Sequence, residues 1–132
     1  MPYLGRKSWS RLRTTDPRLQ AIAQDAIDVM DFTVLEGERD RLRQDELFEL
    51  GLTQVRWPGS KHNASPSLAM DLAPYPIDWN DLERFAVLAG VIRAVAYSHG
   101  VQIRWGGDWD RDDETVDERF RDLCHFEIVE DQ

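Results

Sequence analysis

Two histidines and two aspartates carry the chemistry legible in this sequence: His62 and Asp71 in one stretch, Asp122 and His125 in another. Imidazole and carboxylate groups are ordinary ligands for a catalytic zinc ion, which takes three protein ligands and keeps a fourth position for water. In that reading His62, Asp71 and His125 hold the metal. Asp122, three residues before His125, becomes the general base for a water whose pKa the metal lowers toward ~7. Spacing alone leaves a second reading open, in which these are surface side chains of a domain without a metal. Arg39 follows Glu36-Gly37 at the end of a short apolar run, where a guanidinium can project into a cleft and grip a carboxylate or a carbonyl. A solvated charged turn over Glu38 to Gln44 is the plainer reading of the same residues.

The elements around these residues give them positions. Leu68 to Ala73 alternates, so a strand there shows Leu68, Met70 and Leu72 on one face and Ala69, Asp71 and Ala73 on the other. A second strand over Leu123 to Val129 sets Cys124, Phe126 and Ile128 opposite His125 and Glu127. Phe32 to Leu35 and Val101 to Trp105 read as two more strands, stopped by Glu36-Gly37 and Gly106-Gly107. Asp16 and Pro17 start a helix with Leu19, Ile22, Ala23, Ala26 and Met30 at helical spacing. Asn80 with Glu83 resembles a capping box for a second long helix, whose apolar face is Phe85, Leu88, Ala89, Ile92, Val95 and Ala96. His99, beside Gly100, reads as a helix C-terminus rather than a ligand. A shorter helix is expected over Asp45 to Leu50, and residues 1–15 read as an arm docked through Trp9 and Leu12. The fold class is α+β: two main helices on a small antiparallel sheet.

Composition narrows the partners. The 132 residues make one domain with a modest core. A net charge of -9 argues against a nucleic-acid backbone as partner, since phosphate contacts need a basic surface. The single cysteine excludes an internal disulfide framework. No apolar run is long enough to span a bilayer, and the basic N-terminus does not lead into a signal-peptide core. The expectation is a soluble, monomeric protein made in a cytoplasm, without stable membrane association.

Four motifs in order, Ser60-Lys61-His62, Ala69-Met70-Asp71, Trp105-Gly106-Gly107-Asp108-Trp109 and Asp122-Leu123-Cys124-His125-Phe126-Glu127, resemble those of the M15 metallopeptidases. The resemblance is nearest to single-domain bacteriophage endolysins that cut the L-alanyl–D-glutamate bond of peptidoglycan. Ser8 to Leu12 and Asp31 to Arg39 extend it over nearly the whole chain. It implies zinc ligands His62, Asp71 and His125, Asp122 as acid/base, and Arg39 as the residue steadying the substrate carbonyl and its oxyanion. It also implies a hedgehog/D,D-peptidase type of fold, one peptidase domain over residues 1–132, and the peptidoglycan stem peptide as partner. An enzyme of this kind without a signal peptide would stay in the host cytoplasm until a separate permeabilising protein released it. A D,D-carboxypeptidase or dipeptidase acting on stem-peptide termini, and a non-catalytic zinc-stabilised wall-binding module, are the alternatives. Two departures stand out: a longer, proline-containing connection from Asn63 to Ser67, and Cys124 where proline is common. Strand parity points Cys124 away from His125, as a structural thiol.

Two further features lie between the last motifs. Trp105 and Trp109 are candidates to line the peptide cleft, or to fill the core. Asp108, Asp110 and Asp112 alternate in an acidic run reaching Glu114, and oxygen ligands at such spacing can converge on calcium, which would then regulate the enzyme. The match to an EF-hand loop is partial, because Asp113 stands where the glycine belongs and Arg119 where the closing glutamate belongs. A solvated acidic loop is the plainer expectation.

Overall fold

Four strands, β1 (Phe32–Glu36), β2 (Ala69–Pro74), β3 (Ile103–Gly106) and β4 (Asp122–Ile128), pair antiparallel in the order β1-β2-β4-β3. The computed structural model describes residues 2–113 and 121–130. Within them lie four α-helices: α1 (Arg6–Leu12), α2 (Pro17–Ala26), α3 (Arg41–Glu49) and α4 (Leu82–Ser98). Helices α2 and α4 are the two expected main ones. Asp16 caps α2 by accepting from the Arg18 backbone N–H, with Pro17 in its first turn.

The strand parities expected from alternation hold. Met70 and Leu72 of β2 and Phe126 and Ile128 of β4 join Val34, with Ile22 and Ala26 of α2 and Leu88 and Ile92 of α4, in one buried cluster. Each large apolar side chain so buried contributes roughly 1.5–3 kcal/mol. That burial fixes the sheet's reverse face, where Asp71, His125 and Glu127 stand.

Helix α1 corrects the expectation of an arm. It packs on the edge strand β1, whose outward backbone groups would otherwise be open to pairing. The Ser8 hydroxyl accepts from the Val34 N–H at 3.0 Å, and Arg11 donates to the Val34 carbonyl at 2.9 Å. Leu12 is buried as expected, whereas Trp9 is exposed and Ser8 takes the inward position. Helix α3 begins one turn before the expected Asp45, because Asp40 caps it by accepting from the Arg43 N–H at 2.8 Å. Much of the presumed charged turn is therefore helix, and Leu50, its C-cap, is exposed. Asp81, not Asn80, caps α4. His99 closes α4 as its C-cap and meets Asp25 of α2 at 2.6 Å.

Candidate active site and metal centre

The site is built across three adjacent strands. Asp71 of β2 pairs with His125 of β4 on one side and with Glu36 of β1 on the other. Simple alternation would turn Glu36 to the core side with Val34. A register shift between Val34 and Glu36 reverses this, setting Glu36 opposite Asp71. His62 comes from the 3-10 turn Lys61–Asn63. Ser60 caps that turn reciprocally with Asn63: the Ser60 hydroxyl accepts from the His62 N–H, and the Asn63 carbonyl oxygen accepts from the Ser60 N–H.

The His62 and His125 rings meet edge to face, 5.1 Å apart. His62 Nε2 lies 3.0 Å and His125 Nδ1 lies 3.3 Å from the same oxygen of Asp71, Oδ1. The outer ring nitrogens are also occupied. His62 Nδ1 is 2.7 Å from the Gly37 carbonyl, and His125 Nε2 is 2.8 Å from Glu127 Oε1. A carbonyl and a carboxylate only accept, so both outer nitrogens carry protons. The inner nitrogens then face a carboxylate, and something positive has to lie between them. Protons can fill that role: burial alone would lower His125, yet Asp71 and Glu127 raise it to about 9. Burial alone would likewise raise Asp71, but the two imidazoles hold it well below the usual carboxylate range. One divalent ion could take the place of those protons, with each imidazole oriented by its outer hydrogen bond. The three donor atoms lie within 4.8 Å of one another. The donor set therefore fits a metal ion.

Two glycines allow the approach. A Cβ on Gly37 would lie 2.3 Å from Thr14 Oγ1 and 2.4 Å from the Arg11 carbonyl, so only glycine lets the chain pass α1 with its carbonyl aimed at His62. A Cβ on Gly106 would lie 2.0 Å from the Asp122 carbonyl, across the β3–β4 pairing that starts β4.

A cavity of about 600 Å³ opens beside the triad, lined by residues including Arg39, Lys61, His62, Trp109, Asp122 and His125. Burial, and then the charge of Asp71, raise the Asp122 carboxyl above its ordinary value, which makes it a stronger base once ionised. Trp109 stands with its ring 5.3 Å from His125. Trp105 is in the core instead, its indole N–H donating to the Leu123 carbonyl at 2.9 Å; its cleft reading is thereby corrected. Burial pushes the Cys124 thiol up to about 12, and the sulfur is not among the converging donors.

Arg39 lines the cavity but is 8% exposed and already engaged. Its Nε and Nη2 grip both oxygens of Glu36 at 3.1 and 2.7 Å, and Nη1 donates to Gln44 at 2.9 Å. Nη2 also lies 3.6 Å from Asp71 Oδ2. The bidentate face expected to meet substrate is thus spent on Glu36, leaving single N–H groups for any other partner. Gln44 is held in turn by Asn63 and the Val55 carbonyl.

Sequence reasoning missed Glu36, Gly37, Gln44 and Glu127 as parts of this site. Glu127 was on the His125 face of the expected strand, and that parity was the available signal. Asp108, Asp110 and Asp112 form a separate cluster with carboxylate oxygens within 4.8 Å. Asp108 is buried and accepts the backbone N–H groups of Asp112 and Asp113, so it organises its own turn. Glu114 and Arg119 lie outside the described residues.

The family model for phage L-alanyl-D-glutamate peptidases matches residues 2–129. The L-alanyl-D-glutamate peptidase of Escherichia phage T5 is 33% identical over 134 residues, covering 95% of this chain and 96% of that protein. The crystal structure of the Serratia marcescens L-Ala D-Glu endopeptidase ChiX is similar with a TM-score of 0.76 and 26% identity, covering 94% of this chain and 87% of that one.

Proposed function

Because this chain belongs to the phage L-alanyl-D-glutamate peptidase family, we propose that it is a zinc-dependent endolysin hydrolysing the L-Ala–D-Glu bond of the peptidoglycan stem peptide. The reading includes an M15 metallopeptidase of the hedgehog/D,D-peptidase fold, one peptidase domain acting as a monomer. It reaches the wall of the infected host once a separate protein has permeabilised the membrane. Among the described residues no helix is long and apolar enough to cross a membrane.

The observation that carries the reading is the pair of imidazoles fixed by Gly37 and Glu127 with their inner nitrogens converging on Asp71. His62, Asp71 and His125 would hold the zinc. Bound there, zinc supplies a Lewis acid that polarises the scissile carbonyl and makes water acidic. Asp122, on the cavity wall, takes the proton from the attacking water and returns it to the departing amine. Arg39, held rigid by Glu36 and Gln44, offers a remaining N–H to the carbonyl oxygen as negative charge builds there. A carboxypeptidase would use the Arg39 fork on a terminal carboxylate. That fork grips Glu36, which favours the endopeptidase. A purely structural zinc site has no use for Asp122.

The test is clearance of wall-fragment turbidity by the zinc-loaded protein, after stripping with chelator, and after zinc is restored. Activity that is lost and regained supports the proposal; clearance indifferent to the chelator contradicts it. Calcium regulation through Asp108, Asp110 and Asp112 is proposed as an accessory property, resting on the proximity of their carboxylates. Calcium should raise activity at fixed zinc and ionic strength, and Asp110→Asn with Asp112→Asn should blunt the response. An unchanged activity across the calcium titration would remove the property.

A further inference from the structure

Hydrolysis at an alanyl–glutamate bond presents the cleavage site with an obligatory anion. Glutamate on the amine side carries two carboxyl groups; continuing the peptide uses one, and the other stays free a few bonds from the scissile nitrogen. The cavity, by contrast, has acidic walls in Asp122 and Glu127. A carboxylate entering there needs a cation that is not already committed.

Among the described residues lining the cavity, the cations besides the imidazoles that face Asp71 are Arg39 and Lys61. Arg39 is taken: Glu36 holds two of its nitrogens, Gln44 the third, and Asp71 lies 3.6 Å from Nη2. Lys61 is different. Its Nζ reaches the Ile128 carbonyl at 3.5 Å, and it makes no ion pair with a described carboxylate. Glu127, whose carboxyl Lys61 helps to hold down after His125 and Arg104, already receives the His125 N–H and has Arg104 as cross-strand neighbour. The Lys61 backbone is fixed, its carbonyl accepting the Leu68 N–H at 3.0 Å and the Ala64 N–H at 3.4 Å. The half-buried side chain is a flexible four-carbon stem bearing a compact charge, suited to meeting a carboxylate from a ligand. It stands one residue from the metal-facing His62, on the same capped turn.

We propose that Lys61 is the specificity-determining residue that binds the free carboxylate of the glutamate on the amine side of the scissile bond. The inference rests on the peptidase reading above. It makes Lys61 a substrate-binding cation, in contrast to a surface charge that merely balances Glu127.

The experiment compares kcat/KM on two muropeptides differing only at that carboxylate, one free and one converted to the carboxamide, for the zinc-loaded wild type, Lys61→Met and Lys61→Arg. Wild type should prefer the free acid by roughly 10- to 100-fold, the worth of one charge-assisted hydrogen bond to a partner in a sheltered site. Lys61→Met should lose that preference by slowing only on the free acid, with zinc content unchanged. Lys61→Arg should recover much of it. An acid-to-amide ratio equal in wild type and Lys61→Met overturns the proposal, as does equal slowing on both substrates, which would mark a structural role. Transfer of the Lys61 dependence to a carboxylate on the third residue of the stem, seen with that group amidated instead, also overturns it. A wild type that cuts neither muropeptide at the alanyl–glutamate bond would instead count against the peptidase reading itself.

Discussion

Glu127→Gln removes one charge from the centre while keeping the volume and an oxygen that can still accept the His125 N–H. Glu127 is buried, and its Oε1 lies 2.8 Å from His125 Nε2. Burial works against its ionisation, but His125 and then Arg104 and Lys61 hold its carboxyl below the usual value, so it is an anion at neutral pH. A cation at Nδ1 would lie across the imidazole, roughly 7 Å from that carboxylate, allowing ~2.1 Å for a zinc–nitrogen bond. At an effective dielectric near 20, two charges against one at that distance interact by about 4–5 kcal/mol, which is a ceiling. Arg104 and Lys61 offset part of it, and the glutamine oxygen retains part of the orientation. The expected loss is therefore the 10- to 100-fold in metal affinity typical of such outer partners, about 1.4–2.7 kcal/mol. Competitive zinc titration against a chromophoric chelator reads it directly, with circular dichroism to show that the fold is intact. Wild-type zinc affinity in a folded Glu127→Gln protein would refute the reasoning, because His125 would then need no anionic partner.

Asp122→Asn should keep zinc content and lose turnover by roughly two to four orders of magnitude, the usual worth of a general base, as measured by release of soluble muropeptide; near-normal turnover would move the base elsewhere. Gly37→Ala forces a Cβ to within 2.3 Å of Thr14 Oγ1, so it should cost ~1–3 kcal/mol in denaturant unfolding. Because the Gly37 carbonyl holds His62, the same variant should also bind zinc more weakly, and a stability loss with unchanged zinc affinity would separate the two roles. Cys124, with its thiol pushed up to about 12 by burial, is almost wholly protonated at pH 8. It should resist alkylation in the native state for hours, with full activity retained, while reacting quickly after unfolding; rapid native labelling would contradict that environment.

Asp71 and His125 were legible as facing side chains because strand alternation is a local property. Leu68 to Ala73 and Leu123 to Val129 each carried their own parity, and the buried sheet face obeyed it through Met70, Leu72, Phe126 and Ile128. The rest depended on partners distant in sequence. Helix α1 has few apolar residues, and Ser8 and Arg11 dock it by satisfying the backbone of Val34. The Arg39–Glu36 pair was hidden in a charge run, where composition does not say which side chains meet. It further requires the register shift after Val34 that turns Glu36 toward Asp71. The Gly37 carbonyl is a backbone group, and no residue type announces that it will hold an imidazole.

That this centre cuts one bond, between L-alanine and D-glutamate, is tested most directly by amino-terminal analysis of purified sacculi digested by the zinc-loaded protein. Newly exposed amino groups should belong to glutamate and should be absent from a digest with Asp122→Asn. New amino termini on any other residue, or glutamate termini appearing equally with the Asp122→Asn protein, would contradict it.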